Sequence, residues 1–221
     1  MLFRSSLLAG VANLQPSSYD PAKDFFVTGT NIINSFTLTS GNKTNQTFAS
    51  AATTDANGVV PNNSYHRYNF SIRNTTALFK EKVQLDLGAS YIKQKDMNMV
   101  SQGEYWNPIV AAYLYPRGED FDKIKTFERY DTNRNFPVQY WPISESVFGN
   151  QNPYWTAYRN LASNNKDRFM FNTGLSYKIN DWANVAARAR MDKSYVNFER
   201  KLYASSNEKF AKPKGDRKAH V

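Results

Sequence analysis

Six carboxylates, Glu104, Glu119, Asp120, Asp122, Glu128 and Asp131, lie close together in the middle of this 221-residue chain. Two of them at the right separation could act as acid and base in glycoside hydrolysis. They alternate with lysines and arginines, and nothing in their spacing selects a pair, which is the pattern of a solvated, salt-bridged surface. His66 and His220 stand far apart without ligand-like partners, and there is no cysteine. No nucleophile elbow, phosphate loop or metal-ligand spacing is present. These residues predict a protein that is not an enzyme and carries no cofactor or metal.

The same stretch can bind. Between Tyr105 and Tyr158 there are 14 aromatic residues in 54 positions, interspersed with Asn, Gln and Arg. Aromatic faces stack on the apolar C–H faces of sugar rings, while amides and guanidinium groups fix hydroxyls. The candidate ligand or partner contacts are Trp106, Tyr113, Tyr115, Arg117, Trp141, Tyr154 and Trp155. The competing role for each ring is packing, within the loop or against a partner protein.

Charge narrows the class of partner. The net charge is +9, but residues 1–95 carry nine basic and five acidic groups, 96–168 eight and nine, 169–192 three and two, and 193–221 eight and three. A single-strand nucleic-acid binder interleaves its basic groups with its stacking rings. Here the excess lies away from the aromatic stretch, so no nucleic-acid partner is expected. With 41% hydrophobic and 15% aromatic residues the chain can bury a core.

The flanking segments must position the aromatic stretch, and they alternate as strands do. Thr28 to Ser40 sets Ile32, Phe36 and Leu38 against Ser35, Thr37 and Thr39; Thr44 to Thr54 follows after a turn at Gly41-Asn42-Lys43. Arg67 to Phe79 sets Tyr68, Phe70, Ile72, Thr76 and Leu78 against Arg67, Asn69, Ser71, Arg73 and Thr75. After Lys80-Glu81, Val83, Leu85, Leu87, Ala89 and Tyr91 alternate with Gln84, Asp86, Gly88 and Ser90. The pattern then lapses from Asp96 to Arg168, a stretch with three of the four tryptophans and five of the nine prolines. It resumes with Phe169, Phe171, Leu175, Tyr177 and Ile179, turns at Asn180-Asp181, and ends with Val185, Ala187, Ala189 and Met191 opposite Asn184, Arg188, Arg190 and Asp192.

The fold expected is all-β: an antiparallel meander of about six strands. Residues 1–27 form a lead-in, 28–205 the strands with their long loop at 96–168, and 206–221 a basic tail. No apolar run is long enough for a transmembrane helix, a test that leaves β-barrels untouched. Every long link falls at one end of the sheet and every short turn at the other, as in outer-membrane barrels. The opposite parity carries Arg67, Arg73, Asp86, Lys178, Arg188, Arg190 and Asp192, too many charges for a dry core but suited to a wet lumen. The expectation is therefore part of a large transmembrane β-barrel with one long extracellular loop, its outer face in contact with outer-membrane lipid. A soluble β-sheet ligand-binding module is the alternative. The opening residues MLFRSSLLAGVANLQ read as an internal start rather than a signal peptide.

Several stretches are familiar in their order and spacing. They are Lys23 to Thr30 (KDFFVTGT), Asn34-Ser35, Ser40-Gly41-Asn42, Gly58 to Asn63 (GVVPNN), Arg67 to Arg73 (RYNFSIR), Asn107-Pro108, Tyr115 to Gly118 (YPRG), Gln139-Tyr140-Trp141 and Gln151 to Trp155 (QNPYW). Across residues 23 to 205 the chain resembles the SusC/RagA family of TonB-dependent outer-membrane transporters. The resemblance implies a plugged barrel of about 22 strands in a Gram-negative outer membrane. It also implies import of a glycan, oligosaccharide or peptide nutrient, a SusD-like surface lipoprotein as partner, and drive from the TonB energy-coupling complex through regions other than these. About six strands would be a wall segment of such a barrel, with no transport expected from the fragment alone.

Overall fold

A computed structural model describes residues 19–103, 105–143, 150–207, 211 and 214–220. The opening residues 1–18, Glu104 and the His220 side chain, on which expectations rested, lie outside that description. The chain is an antiparallel meander. Its strands are β1 (Thr30–Gly41), β2 (Asn45–Asn57), β3 (Ser64–Leu78) and β4 (Val83–Met97), then, beyond the long loop, β7 (Asn160–Lys178) and β8 (Asn184–Leu202). Within the loop lie helices α2 (Pro108–Leu114) and α3 (Pro153–Arg159), a 3-10 turn (Phe121–Lys125), and a hairpin of β5 (Glu128–Asp131) with β6 (Phe136–Gln139). Helix α1 (Pro21–Asp24) precedes β1. The sheet runs β1-β2-β3-β4-β7-β8 and gains a short seventh strand, β9 (Asp216–His220), from the segment expected to be only a basic tail. It is open, with β1 at one edge and β9 at the other.

Period-2 side-chain alternation and an uninterrupted register give the sheet two unlike faces. One row of directly paired residues reads Leu38, Ala49, Ile72, Ala89, Phe171 and Met191; the next on the same face reads Phe36, Ala51, Phe70, Tyr91, Phe169 and Lys193. On the reverse, one row reads Thr37, Ser50, Ser71, Ser90, Met170 and Asp192. The polar face is held by its own pairs: Arg168 Nε donates to Asp192 Oδ1 at 2.8 Å, Thr75 Oγ1 to Asp86 Oδ1 at 2.5 Å, and Asn164 Nδ2 to Asp96 Oδ2 at 3.1 Å. The apolar face is not covered. Phe36 is 66% exposed, Ile72 52% and Leu175 50%.

The turns opposite the loop are tight and explained by single side chains. Asn42 Oδ1 accepts from Thr44 N at 2.9 Å and Asn45 N at 2.8 Å, and Asn180 Oδ1 does the same for Trp182 N at 3.2 Å and Ala183 N at 2.8 Å, both side-chain mimics of a backbone turn. Gly41 is required at the first, because a Cβ there would stand 2.3 Å from the Asn45 carbonyl oxygen. The β3–β4 turn is costlier: Phe79, Lys80 and Glu81 all have left-handed φ, at 53°, 55° and 65°.

Three boundaries differ from the sequence expectation. The unpatterned stretch 96–168 shrinks to 98–159, because β4 runs on to Met97 and β7 starts at Asn160. Likewise β2 and β3 extend to Asn57 and back to Ser64, where Asp55 and His66 pair at 2.8 Å. In these extensions both parities are polar, so the backbone ladder continues where side-chain alternation has ceased. The lead-in is also not separate: Tyr19 and Phe25 are buried with Val60, Ala112, Tyr115, Phe121, Ile124 and Tyr154 in a core formed by the loop.

Candidate functional site

The loop is a folded cap on the sheet's end, and its helices start on a repeated signal. Asp20-Pro21, Asn107-Pro108 and Asn152-Pro153 each place an Asx side chain at the N-cap and proline in the first turn. Asp20 accepts from Ala22 N at 3.0 Å, Asn107 from Ile109 N at 3.0 Å, and Asn152 from Tyr154 N at 2.8 Å. The prolines thus start helices rather than merely break structure, and Asx-Pro is the signal that marks them. Asn152 is fully buried, and its Nδ2 also donates to the carbonyls of Ile124 at 2.8 Å and Tyr140 at 3.0 Å.

Half of the six candidate rings form the cap's interior. Tyr115 is 2% exposed, Trp155 1% and Tyr154 9%. The Tyr19 hydroxyl donates to the Tyr115 carbonyl, the Tyr154 hydroxyl to Asp24 O at 3.0 Å, and Trp155 Nε1 to Ser206 Oγ at 3.1 Å. Burial pushes the Tyr154 phenol up to about 12, raises that of Tyr115 well above the ordinary value and also raises that of Tyr19, where Arg117 partly opposes the rise. Trp141 is half-buried, with its ring 5.8 Å from that of Tyr115. Arg117 donates to Tyr19 O at 3.3 Å and lies over the Tyr19 ring. Tyr113 is 50% exposed, and Trp106 is half-buried at the cap's underside.

Four of the six carboxylates have structural partners. Glu128 takes both Nε and Nη2 of Arg159 at 2.8 Å, Asp122 pairs with Lys125 at 2.6 Å, Asp120 accepts from Asp122 N at 3.0 Å, and Asp131 accepts from Asn133 N at 2.9 Å.

Where the cap meets the polar face there is a small pocket that the aromatic count alone did not single out. Trp106 is the one candidate ring among its lining residues. Val60 and Pro61 come from the β2–β3 link, Asn98 to Ser101 from the start of the loop, Thr156 and Ala157 from α3, and Asn160, Ala162 and Arg200 from the sheet. The Arg200 guanidinium lies 4.7 Å over the Trp106 ring and 5.5 Å from that of Phe198. The cavity holds about 30 Å³. An isolated arginine beside a tryptophan nearly a hundred positions earlier gave the sequence no spacing to reveal it. No protein-family model matches this chain, and no curated protein matches it closely enough to mark a relative.

Proposed function

We propose that this chain is a wall segment of a large outer-membrane β-barrel importer, of the kind the SusC/RagA resemblance implies. In this reading the apolar face meets lipid, the polar face lines the passage, and the cap stands outside. There it would meet a glycan or peptide nutrient and a SusD-like lipoprotein, while TonB acts through other parts of the transporter. The observation that carries the proposal is the apolar row running unbroken across six strands and left bare, backed by a face with ion pairs. A globular protein of 25.3 kDa exposes about 10,000 Å²; this chain exposes 15311 Å². Lipid on one face, lumen water on the other and neighbouring strands at the two open edges would account for the excess.

The dimensions agree. From Phe169 to Ile179 the apolar face spans ten residues, roughly 33 Å along a strand and about 25 Å along the normal at a tilt of about 40°. Trp182 and Tyr177 sit at one margin and Tyr68, Tyr91 and Tyr195 toward the other, where interfacial rings belong. Among the described residues no helix is long and apolar enough to cross a membrane, so any crossing would be by strands. The test is behaviour in water and in detergent. The chain should aggregate without detergent and give a strand-rich, dispersed species in micelles. A monodisperse, cooperatively melting monomer in water would overturn the proposal in favour of a soluble β-sheet binding module.

A further inference from the structure

The pocket beneath the cap offers donors and no charged acceptor. Among the described residues none that lines it is acidic and Arg200 makes no ion pair; its charge is met there only by the faces of Trp106 and Phe198. Asn160 is 8% exposed, and its Nδ2 is buried without an acceptor, although its Oδ1 accepts from Ser206 Oγ at 2.8 Å. Asn98, also in the lining, is already committed: Nδ2 donates to Asn62 O and Ala157 O, and Oδ1 accepts from Ala162 N. What remains is a guanidinium fork and one amide N–H beside a cavity of about 30 Å³, room for a terminal group but not a sugar ring. A planar, acceptor-only group suits such donors, and a guanidinium binds it through two parallel hydrogen bonds.

We propose that this pocket is a carboxylate subsite, in which Arg200 and the Asn160 amide receive the acid group of the imported nutrient. It deepens the importer reading by naming the substrate's chemistry as acidic: a uronic sugar or a peptide terminus. The incoming carboxylate gives the buried Asn160 Nδ2 the acceptor it lacks while supplying the opposite charge for Arg200.

The full chain, in whichever medium it folds, is titrated calorimetrically with D-glucuronate, N-acetylglycine and neutral D-glucose. The first two arms separate the sugar and peptide sources. At least one acid should bind, glucose should not, and added salt should weaken the acid. Arg200→Gln should lower acid affinity at least about tenfold. Asn160→Asp places a carboxylate in the pocket itself and should abolish acid binding with the strand signal unchanged, which decides the matter if Arg200→Gln misfolds. Binding of neither acid to the folded chain, equal binding of glucose, or undiminished binding by Asn160→Asp would overturn the subsite. None of these touches the importer reading, which stands or falls on the detergent requirement.

Discussion

Leu175→Arg separates a lipid-facing sheet from a water-facing one. Leu175 sits near mid-band, paired to Leu85 on one side and Ala187 on the other, and is 50% exposed in the isolated sheet. If that exposure is to lipid, arginine there costs about 2–4 kcal/mol, which is roughly 30- to 1000-fold in the folding equilibrium. If it is to water, the change should fall within about 0.5 kcal/mol of neutral, as ordinary surface substitutions do. Position along the strand adds an internal control. Phe169, six residues back and beside Tyr91 at the margin, lies about 20 Å along the strand and about 15 Å along the normal, so Phe169→Arg should cost only about 0–1 kcal/mol. Ser90→Arg, on the polar face beside Ser71 and Met170, should be near neutral. The assay is denaturant-dependent folding into lipid vesicles of an intact barrel carrying this segment. Equal effects at Leu175 and Ser90, or at Leu175 and Phe169, would refute the assignment of the faces.

Three further substitutions probe the turns and the cap. Lys80→Gly relieves one of three consecutive left-handed residues and should stabilise the sheet by about 1 kcal/mol in denaturant melts; destabilisation would show that the turn is not left-handed there. Asn152→Ala removes a helix cap and two buried carbonyl contacts and should cost the cap about 3 kcal/mol, seen as faster proteolytic cleavage between residues 98 and 159 with the strand signal retained. Tyr154 retains its proton more firmly folded than unfolded, so its contribution is complete below pH 10 and is lost as pH rises toward about 12. Tyr154→Phe should shift the alkaline loss of cap structure to higher pH, and an unshifted midpoint would show that another group governs it.

The strands were legible wherever one face differs from the other. Val83 to Tyr91 and Phe169 to Tyr177 alternate cleanly, and their register is the one that alternation requires. Asn160 to Arg168 was illegible for a physical reason: above the apolar band both faces are wet, so N-L-A-S-N-N-K-D-R carries no period even though every residue is paired on at least one side. The helices of the cap were legible in principle, since Asx-Pro marks all three starts, but short helices leave too little periodicity to confirm the signal. The roles of the rings were not legible. Trp155 and Trp106 have the same chemistry in the sequence, and only the fold makes one a buried post against Ser206 and the other the platform for Arg200.

That division of labour follows from how the cap is anchored. Val27 N bonds Val59 O at 2.9 Å, Asn98 N bonds Ala162 O at 2.7 Å, and Tyr203 N bonds Arg159 O at 3.3 Å, tying the cap to the ends of β1, β4, β7 and β8. Asn98, at φ 52°, adds side-chain bonds to the β2–β3 link, to α3 and to β7 at once. A cap stapled at this many strand ends moves with the sheet rather than swinging away from it, because displacing it would strand several buried backbone groups together. Tyr115, Tyr154 and Trp155 are therefore interior for as long as the cap is folded. In the proposed reading, ligand chemistry falls to the candidates that are not interior: exposed Tyr113, half-buried Trp141, and Trp106 held over the polar face with Arg200.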